Sequence, residues 1–133
     1  MDVPVSLRNW FVAHFVVGAA VGAPLLFAPG LLLGALGWRS VDPVCARLAG
    51  GALLVIGSVS WLARDEGSDV FRMVLNLNTL WAYAAVFALV AAAGQGAPPA
   101  TWALLSAFIA FAGVWTHYRI RFKQLAAAPA DEA

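Results

Sequence analysis

Residues 80–93, LWAYAAVFALVAAA, and 103–114, ALLSAFIAFAGV, decide the fold. Wound as helices, both are apolar around the whole circumference, whereas a helix on a soluble protein pairs an apolar stripe with a polar face. An all-round apolar helix needs either lipid or a large protein about it, and a chain of 133 residues cannot supply the second. Working outward, four apolar stretches take up most of the sequence: Val5–Phe27, Val44–Ala63, Val70–Ala93 and Pro98–Arg119. A spanning helix needs about 20 mainly apolar residues to cross a hydrocarbon core of about 30 Å. The composition agrees. Apolar residues make up 62% and charged residues 11% of the chain, against about 45–50% and 25% in soluble domains. The expected fold class is an all-α transmembrane four-helix bundle with up-down topology over residues 1–123, and a flexible C-terminal tail over 124–133.

Short connections make consecutive spans antiparallel neighbours. The exception is APGLLLGALGWRSVD (28–42). Pro29-Gly30 ends the first helix, and the apolar run that follows is too short to span. It should lie in the interface as a short helix or re-entrant segment between the first two spans, with Trp38 and Arg39 at its polar edge. Asp42 is placed to cap the second span with Pro43 at its first helical position. Ser68 or Asp69 can cap the third, and Pro98-Pro99 opens the fourth. Trp10, Trp38, Trp61, Trp102 and Trp115 fall near span ends, as an interfacial aromatic belt requires, whereas Trp81 lies deeper. The N-terminal run carries Arg8 and a small Val21-Gly22-Ala23 site, like a cleaved signal. Its length, His14, Pro24 and Pro29 favour a retained first helix.

Charge then sets orientation. One face carries Arg8, Arg64, Arg72, Arg119, Arg121 and Lys123, and the other only Arg39 and Arg47. Lys and Arg in short loops collect on the cytoplasmic side, so both termini are expected in the cytoplasm of a bacterial inner membrane. A net charge of +1, with no basic stripe, gives no footprint for nucleic acid. Cys45 is the only cysteine, which excludes an intrachain disulfide or a cysteine metal cluster. Every Asp and Glu flanks the spans, which disfavours proton-coupled export, a mechanism that uses intramembrane acids.

Lipid tails are as apolar as leucine, so spans associate through close packing and interhelical hydrogen bonds. Gly18 and Gly22 form a GxxxG pair. Gly50 and Gly57 share a face with Arg47, and Gly113 with Ser106, Ala110 and His117, by three- and four-residue steps. Polar residues at membrane depth are costly and mark candidate sites. Asn9, His14, Ser58, Ser60, Asn76, Asn78, Thr79, Thr116 and His117 gather in the half nearer the basic end. Asn76 and Asn78 lie about 200° apart on a helix, and Asn76, Thr79 and Tyr83 form the more coherent stripe. His14, Asn76, Thr79, His117 and Arg47 are the candidate ligand-binding residues, with Arg47 suited to an anionic headgroup. No catalytic or metal-binding set stands out, and no cofactor is required. Haem held by His14 and His117 and a quinone are the groups these residues would admit.

The segment FAPGLLLGALGWRSVDPVCARLAGGALLVIGSVSWLAR (27–64) has an apolar helix ending at Pro, a short LLxxLG stretch and an Arg-x-x-Gly-Gly helix closing with Ala-Arg. In layout it resembles small bacterial four-helix membrane proteins of the broad DoxX-like group. That resemblance implies association with quinone-linked or redox partners, and it carries over no catalytic residue. The leading expectation is a non-enzymatic accessory or scaffold subunit, contacting a membrane protein partner or a second copy through its Gly/Ala faces. The alternative is a binder of a hydrophobic molecule, quinone or lipid, in a polar pocket of the cytoplasmic leaflet.

Overall fold

The computed structural model describes residues 3–127, with side chains as far as residue 124. Five helices follow one another: α1 (Val5–Phe27), α2 (Pro29–Ala35), α3 (Pro43–Ala63), α4 (Ser68–Gly94) and α5 (Ala100–Ala127). All except α2 are long and apolar enough to cross a membrane. At a rise of about 1.5 Å per residue, the 21 residues of α3 match the hydrocarbon thickness and the other three exceed it. The protein is thus a small four-span membrane protein, all-α among the described residues.

Local chemistry sets the helix ends. Asp42 accepts from the Val44 and Cys45 amides at 2.8 and 3.1 Å, and Pro43 follows at the first helical position. The cap expected at Ser68 or Asp69 is not made. Gly67 occupies that position without a side-chain cap, and Asp69 pairs instead with Arg72 at 3.3 Å. Pro98 and Pro99 precede α5, their carbonyls accepting from Thr101 and Trp102. That helix runs past Arg119 to Ala127, so 124–127 of the expected tail are helical and 128–133 lie outside the described residues. The short segment after the first span is α2, separated from α1 by the single residue Ala28, whose backbone is non-helical (φ −138°, ψ 56°).

The long helices form two antiparallel hairpins, α1 with α3 and α4 with α5. Glycine closes the first. A Cβ on Gly22 would lie 2.8 Å from the Gly50 carbonyl oxygen, and one on Gly50 2.6 Å from the Leu26 amide nitrogen. A Cβ on Gly18 would lie 2.9 Å from the Leu53 carbonyl oxygen. Only hydrogen fits at these places, which lets the two backbones touch. Gly57 sits in the same seam with a looser 3.4 Å clearance, whereas Gly113 faces open space.

The hairpins join each other mainly through large side chains. Phe11 of α1 meets Phe71 of α4 at 4.6 Å and Trp115 of α5 at 5.5 Å between ring centroids. Leu7, Phe11, Phe71, Leu75, Trp115 and Phe122 build the buried core, and all lie in the half of the bundle that carries Arg8. Trp115 is therefore not an interfacial residue, as its place near a span end predicts. It is fully buried, with its indole nitrogen sealed and unpaired. The same end is laced by polar contacts. Arg8 donates to the Arg64 carbonyl and approaches Asp65 at 3.8 Å, and Tyr118 donates to Ser6 at 2.7 Å.

Candidate functional site

Three helices deliver polar side chains to one point beside the aromatic core. His14 on α1 lies 3.0 Å through Nδ1 from the Ser60 hydroxyl on α3. The Asn78 amide of α4 donates to the same oxygen at 2.9 Å, and the Ser60 hydroxyl lies 3.3 Å from the Ile56 carbonyl. The fourth span supplies a wall of rings. Phe111 and Trp115 stand edge-on to His14 at 5.1 and 5.4 Å. Ser60 and Asn78 are fully enclosed and His14 is 7% exposed. Each hydrogen bond removes a polar group from contact with the apolar interior, where an unpaired one costs about 1–3 kcal/mol.

Above this triad, away from the Arg8 end, the helices part. The opening is a cleft of about 120 Å³ between α1, α3 and α5, walled by Val17, Val21, Leu53, Leu104 and Phe108, with His14 its one polar lining residue. Gly18 and Phe111 also line it, and Val17 at its lip is 43% exposed. An engineered apolar cavity of about 150 Å³ takes up benzene, so this cleft is of the size of one ring or a short alkyl segment.

The residues expected from sequence to bind together do not all meet here. His14 does. Thr79 is buried, but its hydroxyl returns to the Leu75 carbonyl at 2.6 Å within its own helix. Asn76 is half-buried, and among the described residues its side chain makes no hydrogen bond. Tyr83 bonds Thr116 at 2.9 Å on an exposed part of the α4–α5 seam. His117 is exposed and packs edge-on against Tyr118, two residues on from the inward-facing Trp115 and hence on the opposite side of α5. The two histidines do not face each other. Arg47 is also exposed and stands beside a broad groove of about 670 Å³ along Leu48, Gly51 and Val55.

The structure instead brings in Ser60 and Asn78, in place of Asn76. Asn78 belongs to a row, Phe71, Val74, Leu75, Asn78 and Ala82, that recurs at three- and four-residue steps and that the structure buries. Among the described residues no group of three His, Cys, Asp or Glu side chains could hold a metal ion.

No protein-family model, curated protein or solved structure matches this chain.

Proposed function

We propose that this protein is a non-enzymatic membrane protein that binds a hydrophobic small molecule in the cleft between α1, α3 and α5, with His14 as its polar anchor. The observation that carries this reading, and favours it over a purely scaffolding role, is the combination at His14. A nearly buried imidazole is fixed by Ser60 at the floor of an otherwise apolar cavity. Ligand sites have this composition, mostly apolar walls with a few placed polar groups. A histidine serving only to hold helices together has no need of a cavity beside it. The basic end would face the cytoplasm, which places the cleft towards the opposite leaflet rather than the cytoplasmic one.

Native mass spectrometry of the full chain released from lipid nanodiscs tests the reading. A small molecule retained by the wild type, and lost from both His14→Leu and Leu104→Trp, is the expected result. Leu104→Trp fills the cavity without touching the triad. Equal retention in all three proteins, or none in the wild type across extracts of its own membrane, would overturn it.

A further inference from the structure

The hydrogen bonds at Ser60 fix more than the orientation of His14. A serine hydroxyl has one proton to give and two lone pairs to receive. Three groups surround this one: the Ile56 carbonyl, the Asn78 amide and His14 Nδ1. The carbonyl can only accept, so it takes the serine proton. The Asn78 amide, turned with Nδ2 towards Ser60, fills one lone pair. The remaining lone pair must be filled by His14, and Nδ1 then carries the imidazole proton. Turning the Asn78 amide over would set two acceptors competing for the single serine proton and break one of the three contacts.

A neutral imidazole with its proton on Nδ1 has a bare lone pair on Nε2. Among the described residues no donor reaches that atom. The sealed, unpaired side-chain atoms are Asn78 Oδ1, Trp81 Nε1, Thr101 Oγ1 and Trp115 Nε1. Nε2 of His14 is not among them, and its ring lines the cleft. Every other lining residue is apolar or glycine.

We infer that the cleft selects an apolar molecule carrying a hydroxyl donor, an aliphatic alcohol or a phenol, whose O–H fills the lone pair of His14 Nε2. This rests on the cleft being a ligand site and adds the chemical class of its occupant. A ketone, an ether or a bare hydrocarbon of the same shape leaves Nε2 unpaired against an apolar wall. Discrimination of about tenfold follows, because one unmade buried hydrogen bond is worth about 1.4 kcal/mol.

The test uses the full chain in nanodiscs, labelled with ¹⁵N-histidine and purified without a polyhistidine tag. His117→Gln leaves His14 as its only histidine. Long-range ¹H–¹⁵N correlation spectra should show a protonated Nδ1 and a pyridine-type Nε2. Titration with 4-butylphenol should move the Nε2 resonance, and its methyl ether, 4-butylanisole, should need about ten times the membrane concentration for the same occupancy. In Ser60→Ala the Nδ1 proton loses its acceptor and the preference should collapse. A proton on Nε2 in the wild type, or equal binding of phenol and ether, would overturn the donor requirement while leaving the cleft a binding site. If neither compound perturbs His14 at any concentration, the cleft is not a ligand site and both readings fall.

Discussion

Ser60 matters more than its size indicates, because two helices lean on its one oxygen. Replacing it with alanine strands two donors, His14 Nδ1 and Asn78 Nδ2, at a buried position. Asn78→Leu strands only a lone pair of Ser60, and it removes Asn78 Oδ1, which is sealed without a partner. The two substitutions should therefore differ in stability. Ser60→Ala should cost about 1–3 kcal/mol and Asn78→Leu less than about 1 kcal/mol, given interhelical hydrogen bonds of about 0.6–1.7 kcal/mol in bundles. Reversible unfolding in mixed micelles measures both, and an Asn78→Leu loss as large as that of Ser60→Ala would contradict this division. Asp42 offers a second prediction, at the aqueous end of α3. The Cys45 amide, and after it the Val44 amide, donates to its charged form and holds its carboxyl below the ordinary carboxylate range. A pKa lowered by folding stabilises above the unfolded value, about 4, and that contribution disappears as pH falls through the folded value. Asp42→Ala should melt below the wild type at pH 7, and circular dichroism should show the gap closing in acid.

Among elements, the α1–α3 hairpin is held by the absence of side chains and the joint between the two hairpins by their presence. At Gly50 and Gly22 an added methyl meets backbone atoms at 2.6 and 2.8 Å, obstacles that cannot rotate away. At Gly57 the clearance is 3.4 Å, and at Gly113 nothing lies within 4 Å. Alanine substitution should thus form a graded series. Gly50→Ala should cost about 1–3 kcal/mol, as overpacking does, and Gly57→Ala less. Gly113→Ala should be neutral or stabilising by up to about 1 kcal/mol, from helix propensity alone. Unfolding midpoints in one detergent rank the three, and a Gly113→Ala loss matching that of Gly50→Ala would count against this account. The same contrast explains what could be read beforehand. A pattern of spaced glycines is visible in a string of letters, and Gly18, Gly22, Gly50 and Gly57 stand where that pattern puts them. It is equally visible at Gly113, where no neighbour arrives, because spacing names a face without naming what approaches it. Asn78 was obscure for a related reason. In water an apolar stripe marks the inside, but in lipid both faces are apolar, so the buried row Phe71–Val74–Leu75–Asn78 does not stand out from its exposed counterpart.

For the molecule as a whole, four spans were legible because length and hydropathy are properties of each helix alone. The cleft was not, because it depends on how two hairpins meet. Its cause is the uneven placing of bulk: Phe11, Phe71 and Trp115 wedge the hairpins together near the Arg8 end, while Val17, Val21 and Leu104 leave a gap further along. Charge is as unevenly placed as bulk. The packed end holds Arg8, Arg64, Arg72, Arg119, Arg121 and Lys123, and the end bearing α2 only Arg39 and Arg47. Asp65 sits against both Arg8 and Arg64, but acidic residues contribute little to insertion, so the basic excess decides orientation. The packed end should then lie in the cytoplasm and the α4–α5 turn outside. In a Cys45→Ser background, a cysteine introduced by Gln95→Cys should react with a membrane-impermeant maleimide added to intact spheroplasts. One introduced by Glu66→Cys should react only after permeabilisation. The reverse pattern would invert the topology, and with it the leaflet from which the cleft beside His14 is reached.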